Sequence, residues 1–222
     1  GVMVHTGTTV EAIESDDQEL RVVLATGDVY PADVVIVSTG VKPNIGFLED
    51  VDIDIDQGIE VDQFMQTSVA NIYAAGDCAQ GLDFSTGKTA VHAVQPTATE
   101  HGRIAAHNMA IENSLPYKGS LNMNILDTLG LVTCSFGAWE GVEGGDSAEL
   151  YNPDNYQYVN LQFKDDLLVG ANLVGYHEHL GVLRGLIEAR ISLGPWKEGL
   201  MKNPIGLMEA YIGVTQEASG TT

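Results

Sequence analysis

Residues 67–77 read Thr-Ser-Val-Ala-Asn-Ile-Tyr-Ala-Ala-Gly-Asp: a polar lead-in, a short apolar run and an abrupt stop on glycine followed by a carboxylate. The run Ile72–Ala75 predicts a buried strand, with Gly76 and Asp77 at its carboxyl end, where open α/β sheets bind their ligands. A glycine there lets the backbone approach a ligand closely, and an aspartate accepts hydrogen bonds from sugar-type hydroxyls.

The stretch resembles the second flavin-binding motif of the FAD-dependent pyridine nucleotide-disulfide oxidoreductase superfamily. In that family such an aspartate holds a hydroxyl of the FAD ribitol chain. Residues 34–44, Val-Val-Ile-Val-Ser-Thr-Gly-Val-Lys-Pro-Asn, are similar to the family's crossover strand from the NAD domain back to the FAD domain. Ala93 to Pro96 and Glu100 to Met109 are similar to the helix whose amino end faces the flavin ring. Gly181 to Ile187 and Leu193 to Lys197 resemble the C-terminal domain of the NADH oxidase, rubredoxin reductase and nitrite reductase-like branch.

The resemblance implies an α/β plus α+β architecture in three parts. Residues 1–33 would be the tail of an NAD-binding domain, 34–113 the second part of an FAD-binding domain, and 114–222 a C-terminal α+β interface domain. It implies FAD and NAD(P)H as cofactors. Asp77 would anchor ribitol, Gly76 would permit close approach, and Thr39 and Gly40 would shape the crossover. Gln95 and the N–H groups of Thr97 and Ala98 would meet the flavin edge. Electrons would pass from NAD(P)H through FAD to an acceptor left open among a small redox protein, oxygen and a small molecule. The superfamily's two Gly-x-Gly-x-x-Gly fingerprints do not occur in the chain, nor does a C-terminal His-Pro proton relay. The chain therefore reads as a C-terminal part, expected to be inactive and to bind no FAD tightly alone, since the pyrophosphate anchor is missing. A non-catalytic assembly module of the same ancestry is the rival reading, and a nucleotide-binding P-loop-like protein is a further alternative.

Charge narrows the partners. The chain has 31 acidic and 10 basic residues, a formal charge of −21, which argues against nucleic acid and anionic membranes. Apolar runs are far shorter than the ~18 residues of a membrane span. Two distant cysteines, Cys78 and Cys134, form no metal or redox spacing, so a cytoplasmic setting is expected, with Cys134 a buried hydrophobe. Unpaired strand edges and apolar surface would favour a homo-oligomer.

Locally, residues 2–6, 8–14 and 19–25 read as antiparallel strands before a Thr26-Gly27-Asp28 turn. Val51, Ile53 and Ile55 alternate with acids, as on a solvated strand face rather than in a calcium loop. Residues 130–136, 156–163 and 167–173 read as strands, and Leu180, Leu183, Leu186, Ile187 and Ile191 as one helix face. The helix beginning near Pro96 presents its positive dipole end outward. Gly81 to Thr89 nearly spells a phosphate-binding P-loop, but five residues separate the glycines where that motif has four. His92, His101 and His107 are nine and six residues apart, which is not zinc-helix spacing. His177 and His179 flank Glu178 without a third ligand.

Overall fold

The computed structural model describes residues 1–16 and 19–219. They form two compact units, Gly1–Val41 and Lys42–Thr222.

The first unit is an antiparallel meander of β1 (Val10–Ser15), β2 (Leu20–Leu24) and β3 (Val29–Ala32). Val10 pairs with Leu24, and Val22 with Tyr30. The turn from β2 to β3 is set by Gly27 at φ +87, and Thr26 Oγ1 donates to the Asp28 carboxylate at 2.7 Å. Two expected strands are corrected here. Residues 2–6 form no strand, and neither do Val34–Val37, of which Val34 and Ile36 are exposed. A continuously apolar strand needs neighbours on both edges and cover on both faces. Among the described residues, none pairs with residues 34–37.

The second unit has two parts. A small sheet contains β4 (Ile59–Glu60), β5 (Ala79–Leu82) and β6 (Thr89–Ala90), with β4 parallel to β5 and β5 antiparallel to β6. It is followed by α1 (Gln95–Ala110). A five-stranded antiparallel sheet follows, made of β7 (Met123–Thr128), β8 (Leu131–Gly137), β9 (Asp146–Asn152), β10 (Gln157–Lys164) and β11 (Leu167–Val174) in the order β7-β8-β11-β10-β9. Along β10, Val159, Leu161 and Phe163 are buried while Asn160 and Gln162 are less so, the period-2 pattern of a sheet with one covered face. The cover is α2 (Leu180–Glu188), α3 (Trp196–Lys202) and α4 (Leu207–Ser219). Leu183, Leu186 and Ile187 give α2 its buried stripe at i, i+3, i+4 spacing.

The P-loop reading is corrected by topology. Gly81 to Thr89 is an antiparallel hairpin between β5 and β6, where the Asp83 carboxylate accepts from Ser85 N at 2.6 Å and Thr86 N at 3.2 Å. A phosphate loop opens a helix instead, and its N–H groups point at the ligand; here the N–H groups of Ser85 and Thr86 are spent on Asp83. The acidic stretch is likewise no strand: Ile55 makes a single bridge to Ile59, while Ile53 packs against the core with Ile59 and Ala74.

Candidate functional site

The site is built on α1. The helix starts after Val94, whose extended backbone (φ −135, ψ 142) offers no side-chain cap, and Pro96 lies in its first turn, where its missing N–H costs nothing. The Ala98 N–H donates to the Val94 carbonyl at 3.1 Å. Among the described residues, the N–H groups of Gln95 and Thr97 have no hydrogen-bond partner, so two donors remain at the positive end of the helix dipole. The Ala98 N–H closes the first helical turn.

The Gly76–Cys78 segment is a single 3₁₀ turn after Ala75. Residues 72–75 were expected as a buried strand. They form instead one arm of a tight reversal, with a single bridge between Gln66 and Tyr73, Thr67 N donating to Ile72 O and Ala74 N to Met65 O. Met65 makes the reversal possible. It adopts a left-handed backbone (φ 64), unusual for a long side chain, and is fully buried with Ile104, Ala105 and Tyr117. That strain costs ~1–2 kcal/mol, of the order that burying a methionine returns. The Asp62 carboxylate braces the loop by accepting from Phe64 N and Gln66 N at 2.8 and 3.0 Å.

Gly76 sits at φ +80, and a Cβ there would lie 3.6 Å from the Ala98 Cβ, so the glycine turn abuts the first turn of α1. Asp77 is exposed beside it. Among the described residues, its carboxylate has no hydrogen bond or ion pair. The structure thus brings Gly76, Asp77, Gln95, Thr97 and Ala98 together. Thr39 and Gly40 (φ +101) belong to the first unit, outside the body that carries the other five.

Two buried amides fix this geometry. Asn108 donates from Nδ2 to Phe64 O and Leu115 O, and accepts at Oδ1 from Ser114 N and Leu115 N, all between 2.8 and 3.1 Å. Every hydrogen bond of that amide is made, which ties α1 to the 64–65 loop. Gln80 accepts from Gln57 N and Gly58 N and donates to Asp56 and Thr89, clamping the turn before β4 onto β5. Neither residue was singled out from the sequence; a lone Asn inside an apolar helical face was the one available signal for Asn108.

On and near the helix lies a group of buried polar side chains that includes His92 and His101. His101 is 1% exposed, meets the Tyr117 ring edge-on at 4.7 Å, and neither ring nitrogen has a partner among the described residues. Burial, with the nearby His92 charge, holds its pKa down at about 4. Tyr117 is pushed up to about 12, chiefly by burial, although its hydroxyl donates to Ser120. His92 Nε2 lies 3.4 Å from the Asp83 carboxylate, near enough for an ion pair but not aligned as a hydrogen bond. Burial alone would raise the Asp83 pKa; the nearby His92 imidazole and the hydrogen bonds from Ser85 N and Thr86 N lower it on balance.

Cys78 and Cys134 are both free thiols; Cys134 is buried, which raises its pKa, and Cys78 lies within 3.4 Å of the Ala75 carbonyl. Among the described residues, no group of His, Cys, Asp and Glu is arranged to hold a metal, and no helix is long and apolar enough to cross a membrane.

Residues 1–101 match the family described as "Pyridine nucleotide-disulphide oxidoreductase". The chain is 31% identical over 209 residues to the NADH-dependent phenylglyoxylate dehydrogenase subunit epsilon of Aromatoleum evansii, covering 93% of this chain and 49% of that protein. It superposes on an NAD-dependent persulfide reductase from A. fulgidus with a TM-score of 0.73 and 30% identity, over 86% of this chain and 39% of that one. A putidaredoxin reductase in covalent complex with putidaredoxin shares the fold, with a TM-score of 0.79 at 22% identity, over 95% of this chain and 50% of that one. The chain therefore spans about half the length, or less, of these relatives. With the glycine-aspartate turn on the first turn of α1 inside the matched residues 1–101, and these likenesses over most of its length, the chain is similar to the pyridine nucleotide-disulphide oxidoreductase family.

Proposed function

We propose that this chain supplies the ribitol and ring-edge contacts of an FAD site in an NAD(P)H-dependent flavoprotein oxidoreductase. The observation that carries the reading is the left-handed Gly76 turn, where an added Cβ would lie 3.6 Å from the Ala98 Cβ, with the unpaired Asp77 carboxylate beside unpaired helix N–H groups. These residues fit the group. A carboxylate with no protein partner is ready to accept from a hydroxyl, a glycine turn leaves backbone open to close approach, and Gln95 and Thr97 N–H groups suit an electron-rich ring edge. The chemistry supplied there is the cofactor's own, acceptance of hydride from NAD(P)H and onward transfer of electrons. The chain's part is to orient and to stabilise negative charge at the helix end.

The three-part division at residues 33 and 113 is carried forward in this reading, with Thr39 and Gly40 at the crossover. A small redox protein is the proposed acceptor class, supported by the likeness to a reductase solved with its redox partner. A cytoplasmic setting is proposed from the two free thiols. The assembly reading is favoured by one feature, the β7–β8 hairpin, which exposes Ile125, Leu126 and Leu129. It is compatible with catalysis, and self-association through that hairpin is proposed alongside. FAD titration of the flavin-free whole protein, followed by quenching of flavin fluorescence, tests the reading. Saturable binding weakened by Asp77→Ala supports it, whereas binding indifferent to that substitution opposes it.

A further inference from the structure

A second cleft lies within the Lys42–Thr222 unit, away from the Gly76 turn. It has a volume of about 230 Å³ and its walls include Phe84, Val142, Leu167 and Val169. That is smaller than the ~300–1,000 Å³ of sites for drug-sized ligands, so its occupant is small. The walls are apolar, but Lys164 and Arg190 also line it, and no carboxylate does. This is the reverse of what the chain's composition dictates, since acids outnumber bases 31 to 10.

Neither cation is neutralised. Among the described residues, neither makes an ion pair; Lys164 Nζ donates to the Glu143 carbonyl at 2.8 Å, leaving two of its three protons. Arg190 lies over the Phe84 ring at 4.9 Å and reaches the Phe84 carbonyl with one nitrogen, so most of its five N–H donors are unspent. Its backbone is left-handed (φ 49) just beyond the end of α2, a position where glycine is the default. An arginine kept there accepts strain to hold its side chain across Phe84, and such outliers cluster at ligand sites. Ser85 closes the polar side: its Oγ is buried without a partner, a state that native structures rarely leave unexplained.

We propose that this cleft binds a small organic monocarboxylate with a branched or cyclic apolar body, with Lys164, Arg190 and Ser85 as its polar partners. The apolar walls select the body, and the paired cations select the charge. A simple anion such as phosphate satisfies only half of the site, and an amine of the same shape meets two like charges.

Calorimetric titration of the 222-residue protein at neutral pH with 4-methylpentanoate and cyclohexanecarboxylate tests this. Acetate, inorganic phosphate and 4-methylpentylamine serve as comparisons. The expected result is saturable binding of one carboxylate per chain, with the three comparison compounds at least tenfold weaker. Lys164→Gln with Arg190→Gln should weaken binding at least tenfold, about 1.4 kcal/mol. Leu167→Trp, which fills the cleft and keeps both charges, should abolish it. Circular dichroism melts show whether each variant folds, and Lys164→Gln alone is the milder substitution should the pair unfold. Absence of saturable carboxylate binding to the unmodified protein, undiminished binding by the folded variants, or phosphate binding as tightly would overturn the proposal.

Discussion

Replacing His101 with leucine should flatten the acid side of the stability profile. In the folded chain the ring is buried, with both nitrogens unpartnered, against Tyr117 and near His92, and its pKa is held at about 4 against an ordinary 6.5. A histidine depressed by folding is neutral in the native state but takes up a proton when unfolded. Its contribution to stability is therefore complete above pH 6.5 and is lost as pH falls from 6.5 toward 4. Working the linkage from those two values, the unmodified chain loses roughly 2 kcal/mol between pH 7 and pH 5 through this one group. Leucine has no proton to take up. It also removes two orphaned polar atoms, so at pH 7 the substitution should change stability by no more than ~1 kcal/mol, the loss of edge-on Tyr117 contact offsetting the relief. Urea unfolding followed by tryptophan fluorescence at constant ionic strength, at half-unit steps from pH 7 to 5, measures both chains in a window above most carboxylate titration. The reasoning fails if the two stability curves run parallel across that window.

Cys78→Ser should leave flavin content and NAD(P)H oxidation by the whole protein nearly unchanged, because the other thiol, Cys134, is buried in a different core; loss of turnover would show otherwise. Gly170→Ala should destabilise the five-stranded sheet by ~1–3 kcal/mol or more, since a Cβ there would fall 2.4 Å from the Ala138 carbonyl group; chemical denaturation reads the shift. Asn108→Ala should cost ~1–3 kcal/mol by stranding the partly buried N–H and C=O groups of Leu115 and loosening α1; a change under 0.5 kcal/mol would contradict its role. Leu126→Ser with Leu129→Ser should shift sedimentation toward a monomer, because both side chains are exposed on the β7–β8 hairpin.

Elements with their own complete pattern were legible in the sequence. The strands β8, β10 and β11 fall within a residue or two of the runs read from alternation, because each finds its antiparallel partners inside the chain. The α1 start at Gln95 was marked by Pro96, and the α2 stripe by its spacing. Strands expected from bare apolar runs, Val34–Val37 and Ile72–Ala75, did not form, since burial on two faces depends on neighbours rather than on the run itself. Strands β7 and β9 were missed because they are sheet edges with polar or mixed faces, where hydrophobic periodicity is weakest. At the site, Gly76 and Asp77 were readable from the motif. The Gln80 and Asn108 clamps were not, since they arise from tertiary distances between 2.8 and 3.2 Å that no local pattern encodes.

The central claim is that Asp77 holds the flavin, and the FAD affinity of Asp77→Ala in the whole protein tests it most directly. A carboxylate accepting from a neutral hydroxyl contributes ~1.5–3 kcal/mol, so the dissociation constant should rise roughly ten- to a hundredfold. Asp77→Asn, which keeps an acceptor, should show a smaller rise. Full flavin occupancy and unchanged affinity in Asp77→Ala would contradict the account.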